Sequence, residues 1–232
     1  MKIAIMQPYF LPYIGYFQLI NAVDKFIILD DVNFIKKGWI NRNRIVFEGQ
    51  EIRFTIPLKK ASQNKKICEI EISTDTNWKE KLISTFNQKY GKADSYNKVF
   101  PLIKECILSI ENNLSTFVTE SLKKISNYLG ISTEFINTSR NYNIDFLNGQ
   151  EKIIEICKKE NADHYLNLSG GRDLYKNEEF ANNNIKLSFM KMNYFEYKRM
   201  NQKFVPSLSI VDVLMFNNIS SIKDMLNRYT LL

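Results

Sequence analysis

Met1-Lys2-Ile3-Ala4-Ile5-Met6-Gln7-Pro8-Tyr9-Phe10-Leu11-Pro12-Tyr13-Ile14-Gly15-Tyr16-Phe17 opens the chain, and Phe26-Ile27-Ile28-Leu29-Asp30-Asp31 follows after one short apolar segment. Residues 3–6 form an unbroken apolar run, as a strand buried on both faces requires. Two prolines and a glycine then interrupt it, and a helix starts at about Gly15. Residues 26–29 are a second run of the same kind. A strand, a loop with a short helix and a second strand make a right-handed crossover, so the two strands are expected to be parallel. Ligands of such sheets bind beyond the carboxyl ends of the strands. The loop at 7–15 and the pair Asp30-Asp31 both fall on that edge.

Further along, residues 45–57 read as a hairpin turning at 48–51 and stopped by Pro57. Residues 59–66 carry four lysines and read as a solvent loop. Residues 68–72 alternate as a short edge strand does. A helical stretch follows: Asn77 to Tyr90 stopped by Gly91, a segment from Ser95 past Pro101 to about Glu111, and 115–129 stopped by Gly130. Sheet character returns at 134–136, 164–168 and 185–190, with a helix over 150–160 between the first two. Helices at 209–217 and 221–228 close the chain. Alternating strands and helices predict an α/β fold with a mostly parallel sheet and flanking helices. We read one α/β domain over 1–232, with a helical insertion or subdomain at about 77–130.

A chain of 232 residues with 44% hydrophobic content can bury a sizeable core. No apolar run reaches the roughly 18 residues of a membrane span. Met1-Lys2 leads straight into a strand with no cleavage site, unlike a signal peptide. Cys68, Cys106 and Cys157 lack metal-like spacing and read as thiols of a reducing cytoplasm. There is one histidine, so a multi-histidine metal site is excluded, and no metal or cofactor is implied. With 32 basic and 25 acidic residues the net charge is +7, which favours anionic ligands.

Four groups of residues carry candidate chemistry. Gln7, Tyr13, Gly15 and Tyr16 sit where a helix begins after a strand, a place suited to phosphate. Asp30 and Asp31 end the second strand; one of them could order ribose hydroxyls or act as a base. Adjacent strand residues face opposite sides, which argues against both serving one site. Lys37, Trp39, Asn41, Arg42 and Arg44 combine cations with a stacking ring. Arginines at i and i+2 share a face and could clamp a pyrophosphate, although nucleic-acid sites use the same ingredients. Ser169, Gly170, Gly171 and Arg172 end a later strand, with Tyr175 just beyond; they could turn amides toward an anion. His164 is a further candidate base. No Gly-x-Ser-x-Gly elbow is present for a serine nucleophile.

The opening layout is similar to nucleotidylyltransferases with a His-x-Gly-His motif after the first strand. Here those positions are Tyr13-Ile14-Gly15-Tyr16, and tyrosine supplies no cationic imidazole to a phosphoryl transition state. The resemblance to another family is closer. The opening motif, the run Asp30-Asp31-Val32-Asn33-Phe34-Ile35-Lys36-Lys37-Gly38-Trp39-Ile40-Asn41-Arg42-Asn43-Arg44-Ile45, and Thr55-Ile56-Pro57-Leu58 resemble the WbqC-like proteins of bacteria. Gly170-Gly171 with Tyr175, and Phe204-Val205-Pro206-Ser207-Leu208-Ser209-Ile210-Val211-Asp212, extend the resemblance over the whole chain. It implies a setting in surface-polysaccharide (O-antigen) biosynthesis. By pathway analogy it implies a transferase on a nucleotide-activated sugar, such as acyl or aminoacyl transfer to an amino sugar. The alternatives are a nucleotidylyltransferase-like activation of a small substrate, and non-enzymatic binding of RNA or a glycan.

Overall fold

The protein is seen in a computed structural model that describes residues 1–199 and 203–232. The opening unit is β1 (Lys2–Met6), α1 (Ile14–Asn21) and β2 (Lys25–Ile28), with β1 and β2 parallel and Ile3 opposite Lys25. A hairpin, β3 (Arg42–Phe47) and β4 (Gln50–Thr55), turns on Glu48 and Gly49, both with positive φ. That is the geometry that matches the twist of paired strands. The short pair β5 (Leu58–Lys59) and β6 (Glu71–Ile72) follows. The expected strand at 68–72 is shorter because Ile67–Glu69 is a 3-10 turn. The Cys68 amide is drawn to the Asp30 carbonyl, at 2.9 Å.

The helical stretch is α2 (Trp78–Tyr90), α3 (Tyr96–Ile107) and α4 (Leu114–Leu129). Asn113 caps α4 by accepting from the Thr116 amide at 3.1 Å. The second of these helices ends four residues before the expected Glu111. Then come β7 (Glu134–Ile136), α5 (Gly149–Lys159), β8 (His164–Leu168), α6 (Asn177–Ala181), β9 (Lys186–Met192), α7 (Ile210–Phe216), α8 (Ile219–Leu226) and β10 (Tyr229–Leu231). The closing helix ends at Leu226, two residues before the expected 228, and is followed by the last strand, for which the sequence reading has no counterpart. Its aromatic and β-branched residues pair antiparallel with β9, Tyr229 opposite Met192.

The main sheet runs β10-β9-β8-β1-β2-β7, parallel throughout except for β10. Counted within the sheet, this is the doubly wound order, in which the chain leaves β1 in one direction and returns to its other side. The fold is therefore α/β, as the sequence predicts. Each central strand alternates its burial between two layers. Ile3, Ile5, Ile27 and Tyr165 pack under α5 and α6, and Ala4, Phe26, Ile28 and Leu166 pack under α1, α4, α7 and α8. α1 is buried over nearly its whole surface. Its one long polar side chain, Gln18, donates to the Met225 and Arg228 carbonyls at 2.7 and 3.0 Å and so ties down the end of α8. Phe10, Phe54, Phe86 and Phe117 form a run of ring contacts 5.3–5.9 Å apart, joining the loop after β1 to the hairpin, α2 and α4.

Arg199 is fully buried, and a buried guanidinium must be paired. Its Nε and Nη2 donate to the two oxygens of Asp212 on α7, both at 2.8 Å. Nη2 also reaches the Val46 carbonyl of β3 at 2.6 Å. Tyr197 and Tyr90 donate to the same carboxylate at 2.7 and 3.0 Å. This network joins α2, α7, the hairpin and the segment after β9. Removing one charge leaves the other buried and unpaired, so Asp212→Asn should cost about 3–5 kcal/mol. In urea unfolding, Arg199→Met combined with Asp212→Leu should recover much of that loss. A double variant as unstable as Asp212→Asn would show that the charge pair is not the cause.

Candidate functional site

A cavity of about 330 Å³ opens at the carboxyl edge of β1, β8 and β9. It lies where the strand order reverses, between β1 and β8. In doubly wound sheets this is the crevice that takes ligands.

One wall is the loop after β1, with Tyr9, Pro12 and Tyr13. Within it Leu11 is held at φ +45°, a conformation that costs a leucine on the order of 1–3 kcal/mol. Its neighbours over-determine it. Asn43 Nδ2 donates to the Phe10 and Leu11 carbonyls at 3.1 and 2.7 Å, Ser209 Oγ donates to Leu11 at 2.8 Å, and the Ile210 amide donates to Pro12 at 2.8 Å. Gly15 has a specific steric role. A Cβ there would lie 2.3 Å from the Tyr13 ring, so that ring, and not a ligand, occupies the space the glycine leaves open. Tyr16 is fully buried, with its hydroxyl donating to the Gln7 carbonyl at 2.7 Å. It braces the loop from beneath and does not line the cavity.

A second wall holds Trp39, Asn43 and Arg44. The two arginines of β3 have different surroundings. Arg42 donates from Nε to the Gly38 carbonyl at 2.9 Å and from Nη2 to the Lys37 carbonyl, and it lies 5.8 Å from the centre of the Trp39 ring. It thereby fixes the loop carrying Trp39. Asn41 is likewise structural, donating to the Ile56 carbonyl at 2.9 Å. Arg44 lines the cavity, with Nη1 on Glu51 at 2.7 Å. Its hydrogen bonds to Glu51, with those of Arg53, hold the Glu51 carboxyl below its ordinary range. Arg44 Nε is buried with no partner among the described residues. A charged donor left in that state is costly.

The third wall comes from Leu168, Ser169, residues 190–192 of β9, Tyr194 and Ser207. Tyr13, Trp39, Arg44 and Ser169 are thus brought together from distant parts of the sequence. Of the cavity side chains, Lys191 and Tyr194 carry no sequence signal of their own, because which residues after β8 reach the cavity depends on strand order. Burial, helped by Tyr9 and Tyr194, raises the Tyr13 phenol to about 12, so near neutral pH it is a neutral hydrogen-bond donor. Among the described residues no carboxylate or imidazole lines the cavity.

The WbqC-like protein family matches residues 7–224. The chain belongs to that family. Among curated proteins, the "Uncharacterized protein Rv1507c" of Mycobacterium tuberculosis (strain ATCC 25618 / H37Rv) is 30% identical over 217 residues, covering 92% of each chain. No solved structure matches significantly.

In this WbqC-like protein the two carboxylates after β2 face opposite layers. Asp30 accepts from Ser115 of α4 at 3.0 Å and from Thr138 at 2.7 Å. Asp31 meets Lys152 of α5 at 2.5 Å, both side chains being buried. The Ser139 hydroxyl, also buried, contacts both residues. The pair therefore fastens the ends of β2 and β7, outside the cavity lining.

The glycine turn after β8 is a 3-10 turn spanning Ser169–Leu174. Gly171 packs on the Asn167 side chain, while Gly170 faces open space. Arg172 is exposed, beside Asn177 and Lys186 and away from Arg44. The Tyr175 ring packs edge-on against Tyr165 at 5.7 Å, on the α5 side of the sheet. His164 stands at the start of β8, the opposite end from Ser169, with Nε2 3.0 Å from Ser188 Oγ. Burial, with Lys186 and Lys2 nearby, lowers its pKa.

The raised Tyr13 pKa has a defined sign in stability. The folded state holds the phenolic proton more tightly than the unfolded chain, whose tyrosine pKa is about 10. Its contribution is complete below about pH 10 and is lost as pH rises through the folded value of about 12. Tyr13→Phe should therefore flatten the alkaline fall in urea stability by up to about one proton over that window. An unchanged slope would refute the assignment.

Proposed function

We propose that this WbqC-like protein is a transferase of bacterial surface-polysaccharide biosynthesis that binds a nucleotide-activated sugar in the switch-point cavity. The observation that carries this reading is Arg44. Its guanidinium side chain lines an aromatic crevice at the sheet's ligand edge, which suits a phosphate beside a stacked ring. In this reading Arg44 and Lys191 hold the phosphates, Trp39 and Tyr9 pack on the base or sugar, and Tyr13 donates to a hydroxyl or phosphate oxygen.

The reaction that fits this lining best is acyl or aminoacyl transfer to an amine on the sugar. The amine nitrogen attacks the acyl carbon, the bond from that carbon to its activating group breaks, and the nitrogen releases a proton. An amine with a pKa of about 8, the range of α-amino groups, is neutral to about a tenth at pH 7. It can therefore attack without a carboxylate or imidazole beside it. The lining then contributes mainly by positioning the reactants. Tyrosine at 13 and 16, with Tyr16 sealed beneath the loop, weighs against nucleotidyl transfer by a histidine-assisted route.

A thermal-shift screen with nucleotide sugars, free nucleotides, inorganic phosphate and acyl donors tests the reading. A ligand at about 100 times its Kd adds about 2.7 kcal/mol. For a chain of this size that is a rise of roughly 5–10 °C. Arg44→Gln should weaken the responding nucleotide sugar at least about ten-fold, as expected for a lost charge-assisted bond. If no nucleotide-containing compound shifts the melting temperature, the reading is wrong.

A further inference from the structure

The segment from Val32 to Phe47 carries Lys36, Lys37, Arg42 and Arg44 and no acidic residue. It also exposes two large hydrophobic side chains, Ile35 at 53% and Trp39 at 43%. These tips are held out by a built frame. The Gly38 amide donates to the Ile35 carbonyl at 3.2 Å, and Arg42 secures Lys37 and Gly38 from behind. Lys65, also exposed, runs alongside, its carbonyl accepting from the Phe34 amide at 2.9 Å. Tyr194, 70% exposed, shares the cavity lining with Trp39, as does exposed Lys191. The cavity mouth thus carries two aromatic tips, Trp39 and Tyr194, with Lys191, and the loop that bears Trp39 also exposes Ile35, Lys36 and Lys37 beside it.

We propose that this rim docks on an anionic phospholipid bilayer, so that the cavity opens at the membrane surface. Tryptophan and tyrosine favour the headgroup level, where a ring is partly dry and its polar atom wet. Lysines near the surface are attracted by anionic lipid. Ile35 separates this occupant from nucleic acid. Bases stack on aromatic rings and phosphates pair with cations, but an exposed aliphatic side chain gains little there and gains directly from acyl chains. No described helix is long and apolar enough to span a membrane, so contact of this kind is peripheral. The proposal concerns the surface around the cavity and does not depend on which ligand the cavity takes.

The chain has two tryptophans, and Trp78 is buried. Trp78→Phe therefore leaves Trp39 as the only indole reporter. With phosphatidylcholine vesicles containing about a third phosphatidylglycerol, Trp39 emission should move to the blue, and the protein should sediment with the vesicles at low salt. Pure phosphatidylcholine should bind several-fold more weakly, and Lys36→Gln or Lys37→Gln should each reduce partitioning about five-fold. Ile35→Ser should reduce it further at unchanged charge. Should Trp78→Phe fail to fold, cosedimentation of the unaltered protein decides between the same outcomes. Absence of vesicle binding overturns the proposal, as does binding unaffected by Ile35→Ser. A blue shift with a single-stranded RNA oligonucleotide, without vesicle binding, would reassign the rim to nucleic acid.

Discussion

A buried loop must satisfy its own backbone, and the cavity depends on that requirement at residues 10–12. Phe10 and Leu11 are fully buried, yet they lie between elements, where no ladder or helix supplies hydrogen bonds. Partners come from three other places. The hairpin gives Asn43, α7 and its cap give Ser209 and Ile210, and the carbonyls of Trp39 and Ile40 accept from the Phe10 amide at 3.3 and 3.2 Å. The Leu11 carbonyl receives two of these donors, which is how a leucine is kept at positive φ. Without the hairpin and α7 this loop has no reason to hold its shape, and Tyr9 and Tyr13 have no fixed wall to stand on.

The buried charges reinforce the same arrangement. Arg199 and Asp212 tie α7 to the hairpin, the two elements that supply the loop's partners. Asp30, Asp31, Ser139 and Lys152 do the equivalent at the other end of the sheet's carboxyl edge, joining β2, β7, α4 and α5. Both clusters place ionised groups in the interior, where a lone member would be strongly destabilising. They specify how layers meet at the edge that bears the cavity, and the cavity itself is left with neutral tyrosines and cations.

The sequence carried this information unevenly. β1 and β2 were legible as short apolar runs beside turn residues, β8 and β9 as partly apolar segments set off by the glycine turn at 170–171 and the asparagines at 182–184, and the limits of α2 and α4 followed from Asn77, Gly91 and Gly130. The short helix α6 and strand β10 were not, since five and three residues hold too few apolar positions to show a period. Tyr13, Trp39, Arg44 and Ser169 stood out by chemistry and do meet at the cavity. Asn43, Lys152, Arg199 and Lys191 did not stand out, because their roles come from pairings between residues far apart in the chain. Asp30 and Asp31 illustrate the limit. Strand alternation does not reach them, because β2 ends at Ile28, and the sequence cannot say that one meets a serine and a threonine, the other a buried lysine, and both the Ser139 hydroxyl.

The switch point has a further consequence, for the order of events during synthesis. The loop after β1 is made first, the hairpin soon after, but Ser169, Lys191, Tyr194 and Ser207 close the cavity only when most of the chain exists. Contacts between positions this distant in sequence form late, after the local hairpins and helices. A growing chain emerging from the ribosome therefore displays Tyr9, Tyr13, Trp39 and the lysines around them before there is a pocket to receive a ligand. During that interval the aromatic and basic loop is an exposed surface of an unfinished domain, the state in which chaperones and misassembly compete for a chain.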